Sequence, residues 1–419
     1  MHNRRGWRWF MVACIFWLSA CSSSVAQPVE QPTNLPTPTT LIVWHAFGGV
    51  TGNAIDDLLQ HIATTNNLNV VVQRMPIATI ANDIQVAWPQ SRGPHVVLLS
   101  NSQLHQIAPH QIALPLDTLI DVSSRNVIDA AVIATGQIRN RQGQLELLGL
   151  PITYELPVLY YNRRNVLSPP LYTDDLFSMA RSLTTPPQWG LGADLSFDNF
   201  AGYLSAFGGQ IIDAQDNIVL GTSGRSGTEA WLTWLTALNG DPLLLTRLNA
   251  IFSVKRSAGA GQMTMVIDDS SQQRTYQQLW GNDMGISALP ILSSSNQPAQ
   301  PYLRTTTVVL NQRLSPAEVE AARILLNTLI QNDAQQRLLN TGIQPVNRLV
   351  DITQNAAATN IRDAAIQANA PPSTLLRYDV HAVLRSMITQ VVVGAQSPSD
   401  AVTTADQQLR QLIEGSSTP

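Results

Sequence analysis

One stretch, residues 147–162 (LLGLPITYELPVLYYN), constrains the fold more than any other part of the chain. It is rich in apolar, β-branched and aromatic residues, which favour an extended conformation. Pro151 and Pro157 each remove a hydrogen-bond donor from a sheet without ending the extended chain. A strand interrupted in this way can leave one sheet and enter another. The stretch therefore predicts a crossing between two lobes, and the alternative is a plain buried strand of some other α/β protein.

Length and charge agree with a large globular protein that has no nucleic-acid partner. The residues after position 40 are too many for one compact core, so two lobes are expected. The net charge is −4, and charged residues make up 13% of the chain. Lys255 is the only lysine and the arginines are scattered, so the sequence has no basic run that would bind a polyanion.

Strand and helix patterns alternate along the chain. The predicted strands cover residues 40–46, 69–74, 95–99, 189–193, 263–267, 285–289 and 303–310. The predicted helices cover residues 53–65, 77–88, 197–207, 223–238, 272–280, 316–331, 359–369, 373–392 and 399–414. A further helix is predicted to start over residues 102–108, and another, after residue 331, is predicted to end at Gly342. This alternation predicts an α/β fold whose sheets are mostly parallel and covered by helices on both faces.

The N-terminus has the organisation of a secretory leader. Arg4, Arg5 and Arg8 precede a short apolar segment, residues 9–18, which is too short to span a bilayer. The following Leu-Ser-Ala-Cys resembles the bacterial lipobox, which is cleaved before a cysteine that then receives lipid. We therefore expect a lipoprotein signal peptide over residues 1–20, with an ordinary signal peptide and a chance cysteine as the alternative.

The segment after the signal peptide predicts a tethered, extracytoplasmic domain. Residues 21–40 comprise the lipidated Cys21 and a Ser-, Pro- and Thr-rich tether without apolar periodicity, which predicts disorder. Cys14 and Cys21 are the only cysteines, so the mature domain can form no internal disulfide and no cysteine metal site. We expect no metal or other cofactor.

Several short motifs, in order, resemble one family. The Leu-Pro pair and the Leu-Tyr-Tyr-Asn end of residues 147–162 resemble the crossover strand of the extracellular solute-binding proteins of ABC importers, in the maltose-binding-protein-like class. Residues 42–49 (IVWHAFGG) are similar to that family's first strand and ligand loop. Gly93-Pro94-His95 is similar to its Gly-Pro-Asp element, with His95 in place of the aspartate. The helix opening at Ser315-Pro316 and the later Gly342 and Pro345 complete the resemblance.

The resemblance implies a two-lobed, periplasmic-binding-protein-like fold in which a multi-strand hinge joins two mostly parallel, helix-flanked sheets. Lobe 1 would comprise residues 41–152 and 308–348, and lobe 2 residues 157–303 and 355–415. The hinge crossings would lie at residues 153–157 and 302–308, with a third link after Val346.

The same resemblance implies a function. The protein would be a monomer, lipid-anchored outside the cytoplasmic membrane in the periplasm or at the cell surface. It would bind a sugar or oligosaccharide between the lobes and deliver it to an ABC permease. Another polar solute, such as a glycerol phosphate, is an open alternative.

Candidate ligand-binding residues lie where strands end, because ligands of open α/β sheets bind outside the carboxyl ends of the strands. Sugars need aromatic faces and polar groups, and these types recur at such positions. By resemblance, the positions match ligand-contacting segments of the family. The candidates are Trp44, Phe47, Asn101, Ser102, Glu155, Asn199, Asp268, Tyr378 and His381.

Catalysis is less well supported by the sequence. There is no Gly-x-Ser-x-Gly elbow and no His-x-x-x-His pattern. The runner-up function is a secreted glycoside hydrolase that uses Glu155 and Asp268, which would require both carboxyl groups to face one cleft.

Other tryptophans are predicted to pack in the interior. Trp231 and Trp234 fall on an amphipathic helix, and Trp189 and Trp280 are also expected to be packing residues. Trp44 could equally be a packing residue at a strand end, and His381 could be a solvated or capped histidine.

Overall fold

The computed structural model describes residues 39–213, 215 and 217–415. The predicted signal peptide, the lipidation site Cys21 and all but the last two residues of the tether lie outside the described residues. Residue 40, assigned to both tether and first strand, begins a strand.

The described residues form twelve strands and fifteen α-helices. The strands are β1 Thr40–His45, β2 Asn69–Arg74, β3 Val96–Ser100, β4 Gln137–Arg139, β5 Leu145–Leu147, β6 Leu150–Glu155, β7 Pro157–Asn162, β8 Trp189–Asp194, β9 Leu245–Arg247, β10 Met263–Asp269, β11 Met284–Ser287 and β12 Arg304–Leu310. The helices are α1 Gly49–Thr65, α2 Ile80–Ala87, α3 Asn101–Ile107, α4 Val122–Arg125, α5 Ala130–Ala134, α6 Thr173–Leu183, α7 Phe197–Ala206, α8 Arg225–Gly240, α9 Ile251–Gly259, α10 Gln273–Trp280, α11 Pro316–Leu329, α12 Asn332–Asn340, α13 Ala356–Ala365, α14 Tyr378–Val392 and α15 Pro398–Gly415.

Two five-stranded sheets organise these elements. The first has the order β2-β1-β3-β12-β6 and the second the order β11-β7-β10-β8-β9. Four strands of each sheet run in one direction, and the fifth, β12 in the first sheet and β7 in the second, runs against them. Helices flank both sheets, so the predicted α/β architecture with mostly parallel sheets is confirmed. We call the first sheet with its helices lobe 1 and the second lobe 2.

The chain leaves the first sheet at Glu155 and enters the second at Pro157, so Leu156 is the point of crossing. Leu156 is fully buried, and its backbone N–H and C=O bond to the hydroxyl and the N–H of Ser270, which follows β10. The largest cluster of buried side chains continues through this point from one sheet to the other. The crossing is therefore packed and hydrogen-bonded rather than a free linker.

Local signals mark the start of α11 and the end of α7. Ser315 and Glu318 form a capping box at the start of α11, because each side chain accepts the other residue's backbone N–H. Gly208, after α7, has a φ of +78°, a conformation that favours glycine. Trp231 on α8 is fully buried and donates its indole N–H to the carbonyl of Phe200, which confirms its predicted core position.

Some predicted boundaries were wrong. The helix predicted over residues 77–88 begins only at Ile80, because a turn closed by the Thr79 N–H on the Pro76 carbonyl precedes it. The helix predicted over residues 373–392 is a 3₁₀ turn, Ser373–Leu376, followed by α14. Helices α4, α5, α6 and α9 had no predicted counterpart. Among the described residues, none of the helices combines the length and apolar character needed to cross a membrane.

Candidate functional site: a cleft between the two sheets

The topology brings the carboxyl edges of both sheets to one place. β6 ends at Glu155 and runs parallel to β1 and β3, so their last residues share its edge of lobe 1. β7 starts at Pro157 and runs antiparallel to β10, so the end of β10 lies beside that start, with Asp269 paired to Pro157. Because only Leu156 separates the two edges along the chain, the strand ends face each other across a cleft.

Three cavities occupy this cleft. The smallest, about 220 Å³, lies on lobe 1 and includes Phe47, Asn101, Ser102 and Glu155. The second, about 340 Å³, shares Phe47 and Glu155 and extends to the residues after β10. The third, about 1000 Å³, joins the start of α3 to the starts of α7 and α14, and Tyr378 and His381 line it. Six of the nine predicted ligand residues thus lie on one connected cleft.

The other three candidates do not line these cavities. Trp44 is half-buried and packs on the apolar cluster around α2 and β3. Asn199 donates its side-chain amide to the Asp194 carbonyl, 3.2 Å away, and so bonds back to the end of β8. Asp268 is buried, and its two oxygens accept bonds from the Asp269 N–H at 2.8 Å and the Tyr276 hydroxyl at 2.9 Å. Their role as ligand contacts stays a prediction.

Arg304, at the start of β12, supplies the positive charge that stabilises ionised Glu155 at the crossing. It is the cross-strand neighbour of Glu155, and its guanidinium forms an ion pair with Asp269. Burial raises the pKa of the Glu155 carboxyl, and the charge of Arg304 and a hydrogen bond with Ser271 only partly offset this effect. One cation therefore lies between carboxylates from both lobes. No sequence pattern predicts Arg304 in the site, since its place beside Glu155 depends on strand pairing.

The loop that carries Phe47 is fixed by a chain of polar contacts from His45. The His45 ring is fully buried, and its Nδ1 accepts the Phe47 backbone N–H at 3.1 Å. Nε2 therefore carries the proton and donates to Asp56 Oδ1, 2.7 Å away, while Arg74 Nε donates to Asp56 Oδ2 at 3.0 Å. Burial raises the pKa of Asp56, but the bonds from His45 and Arg74 outweigh it and hold that pKa below its usual value.

A close backbone approach holds the other side of Phe47. A Cβ built on Gly52, in the first turn of α1, would lie 2.6 Å from the Phe47 carbonyl oxygen, so glycine is needed there. His45 and Gly52 together set the direction in which the Phe47 ring enters the cleft. The resemblance of residues 42–49 to a strand and ligand loop predicts Phe47 as a contact, but no local pattern indicates the roles of His45, Asp56 and Arg74.

The largest cavity has an aromatic wall on lobe 2 and on the segment leading into β12. The Phe197 ring lies edge-on to His381 with 5.6 Å between ring centroids, and Tyr302 is 6.4 Å from Phe197. Tyr378 is 82% exposed, and the Arg385 guanidinium lies over one face of its ring, 6.0 Å from the centroid, so the opposite face is available for stacking. Neither Phe197 nor Tyr302 was predicted to contact the ligand, although Phe197 begins a predicted helix and Tyr302 begins a predicted hinge crossing.

Polar groups complete this wall. Asp198 lies 3.9 Å from His381 Nδ1, and Arg377 pairs with Asp379. Burial lowers the pKa of His105, on the lobe 1 side, to about 4, so this ring is neutral near pH 7. The cavity thus combines apolar ring faces with hydrogen-bonding groups, and three arginines face two aspartates along its lining.

Comparison with known proteins identifies the family. The family model described as bacterial extracellular solute-binding protein matches residues 57–367. The chain belongs to the bacterial extracellular solute-binding protein family. The match runs from within α1 to just beyond the end of α13, and it includes every strand from β2 to β12.

Several solved structures of sugar-binding proteins have the same fold. The maltotriose-binding protein of Thermus thermophilus is 18% identical with a TM-score of 0.73, and the match covers 89% of this chain and 100% of that one. The maltose/maltodextrin-binding domain from Bdellovibrio bacteriovorus is 20% identical with a TM-score of 0.72, covering 90% and 100%. The cyclic α-maltosyl-1,6-maltose-binding protein of Arthrobacter globiformis is 16% identical with a TM-score of 0.76, covering 90% and 100%.

These similarities confirm the two-lobed fold. None of the curated protein sequences compared matches this solute-binding protein.

Proposed function

We propose that this chain is the extracytoplasmic solute-binding component of an ABC importer, and that its ligand is a sugar or oligosaccharide. The observation that carries the proposal is the cleft itself, which joins the carboxyl edges of two sheets and presents Phe47, Tyr378 and His381 beside amide, hydroxyl and carboxylate groups. Sugars offer apolar C–H faces for ring stacking and hydroxyls for polar contacts. The maltose- and maltotriose-binding structures of the same fold support a saccharide of this kind.

Two lobes joined by a hinge can close around a ligand. We assign residues 41–152 and 308–348 to lobe 1, residues 157–303 and 355–415 to lobe 2, and the hinge to residues 153–157 and 302–308. A ligand that touches both lobes stabilises the closed form only through its greater affinity for that form. A permease could then distinguish loaded from empty protein.

Phe47, Asn101, Ser102 and Glu155 would contact the ligand on the lobe 1 side, and Tyr378 and His381 on the lobe 2 side. Trp44, Asn199 and Asp268 would act from behind these contacts. No observation favours the hydrolase alternative, because both oxygens of Asp268 accept bonds within lobe 2. The anchor would be the lipidated Cys21, and the protein would act as a monomer that contacts its permease.

The test is a thermal-shift screen of neutral sugars, polyols and glycerol phosphate against the mature domain, followed by calorimetric titration. A ligand present at one hundred times its dissociation constant should stabilise the folded protein by about 2.7 kcal/mol. The titration should give one ligand per protein and release of unchanged sugar. Small-angle scattering should report compaction on binding.

A matched pair of variants locates the site. Phe47→Ala should weaken binding, whereas Phe252→Ala, which removes an 82% exposed ring away from the three cavities, should not. Equal effects of both variants would contradict the cleft assignment. Sustained hydrolysis of a glycoside, lost in Glu155→Gln, would replace the transport function with the enzymatic one.

A further inference from the structure

A fourth cavity, about 780 Å³, lies outside the cleft described above, and nothing in the proposed function uses it. One wall comes from α10, the following turn and β11 of lobe 2. The facing wall comes from α12, which packs on α1 of lobe 1, and from the segment that leads into α13. We call this cavity the amide groove.

A single hydrogen bond separates the amide groove from the cleft. Arg274 Nη2 on α10 donates to the carbonyl of Thr341, just after α12, over 2.8 Å. Arg274 and Thr341 line the second cavity of the cleft, and their neighbours Gln273 and Asn340 line the groove. The groove is therefore a separate site, and it also spans the two lobes.

The chemistry of the groove is uniform. Half of its sixteen lining residues are asparagine or glutamine, and its charged groups are one arginine, Arg163, and one aspartate, Asp351. Each side-chain amide offers both a donor and an acceptor, as a sugar hydroxyl does. A ligand of large net charge would find no matching excess of counter-charge here.

Several of these amides are not used by the protein. Within the described part of the chain, the side-chain amides of Gln273, Asn282 and Gln354 have no hydrogen-bond partner. The Gln336 side-chain amide donates to the Asn340 side-chain oxygen over 3.3 Å. The Asn340 side-chain NH₂ and the Gln336 side-chain oxygen are then free to bind a ligand. Amides from both walls can therefore bind a ligand without breaking protein hydrogen bonds.

The floor of the groove is apolar. Met284 and Ile286 of β11 and Leu339 of α12 are buried beneath the amides, at 6%, 2% and 5% exposure. An apolar floor with an uncharged, hydrogen-bonding rim suits a ring that has C–H faces and hydroxyl edges. We propose that the amide groove is a second binding site, for a neutral, hydroxyl-rich ligand of the saccharide class.

The experiment separates the groove from the cleft by working in a Phe47→Ala background. Maltotriose, cellotriose, xylotriose and mannotriose are titrated at millimolar concentration into the wild type, Phe47→Ala, and Phe47→Ala combined with Gln273→Ala and Gln336→Ala. We expect weak binding of at least one trisaccharide to persist in Phe47→Ala. Loss of both amides should weaken that binding about 25-fold, at about fivefold for each neutral hydrogen bond.

The matched control is Gln278→Ala, which removes an exposed amide of α10 that does not line the groove and should leave the residual binding unchanged. Thermal melting of each variant checks that the fold is intact. Disappearance of all trisaccharide binding in Phe47→Ala overturns the groove proposal but leaves the cleft function standing. Binding that is unchanged in Phe47→Ala but lost when Gln273→Ala and Gln336→Ala are added supports the groove and refutes the cleft assignment. No binding to the wild type refutes both.

Discussion

His45 offers a direct test of how the ligand loop is held, because its two ring nitrogens make different hydrogen bonds. Nδ1 accepts the Phe47 N–H, and Nε2 donates to Asp56. Asparagine places its carbonyl oxygen near the position of Nδ1 but cannot reach Asp56. Glutamine places its amide nitrogen near the position of Nε2 but offers no acceptor to Phe47. His45→Asn and His45→Gln thus separate the two contacts.

One variant should lower the affinity for the ligand, and the other should lower the stability of the fold. In His45→Gln the Phe47 N–H loses its acceptor and turns to water in the free protein, so reordering the loop on ligand binding costs about 1 kcal/mol and weakens affinity about fivefold. The bond to Asp56 remains, so the free energy of unfolding should change little. In His45→Asn the affinity should stay near that of the wild type. Stability should fall by about 1.5–3 kcal/mol, since a bond to a charged group is lost.

Two measurements on each variant decide the outcome. Calorimetric titration of the best sugar from the screen gives the affinity, and urea unfolding gives the stability. Hydrogen exchange at the Phe47 amide reports the loop without any ligand, and protection should be lost in His45→Gln alone. The reasoning fails if affinity and stability fall together in both variants, or if the Phe47 amide stays protected in His45→Gln.

Three further predictions concern other parts of the molecule. Burial raises the pKa of Glu155 above the 4.5 of an exposed glutamate. The cost of ionising Glu155 in the folded protein is absent below pH 4.5, grows as pH rises from 4.5 towards the folded-state pKa, and is fully present above that pKa. Glu155→Gln should therefore melt higher than the wild type at pH 7 but not at pH 4, and a difference that does not change with pH would contradict this. Trp231→Phe should lower the free energy of unfolding by about 2 kcal/mol, through a cavity and a lost bond to Phe200, with sugar affinity unchanged by titration. Cys21→Ser should leave the precursor unlipidated, so cell fractionation should find it outside the membrane fraction; wild-type partitioning would refute the lipid anchor.

Much of the architecture follows from signals between neighbours in the sequence. The two prolines that flank Leu156 and the apolar residues around them predict a strand that changes sheets, and both strands form with that break between them. The capping box at Ser315 and the glycine after α7 mark helix ends because a cap involves residues within about one turn. The same local patterns allow Trp231 to be placed in the core.

The composition of the cleft could not be read in the same way. Arg304 meets Glu155 and Asp269 only because β12 pairs with β6 and the chain then crosses to the second sheet, and no local pattern encodes that pairing. His45, in a segment that predicts only a strand and a glycine turn, becomes the support of Phe47 once α1 folds back and presents Asp56.

The amide groove has the same origin, since its two walls come from α10 and α12 and meet only when the lobes are packed together. Sequence periodicity determines which face of an element is buried. Which polar groups share a cleft depends on strand order and lobe packing, because these decide the distances between residues that are far apart along the chain.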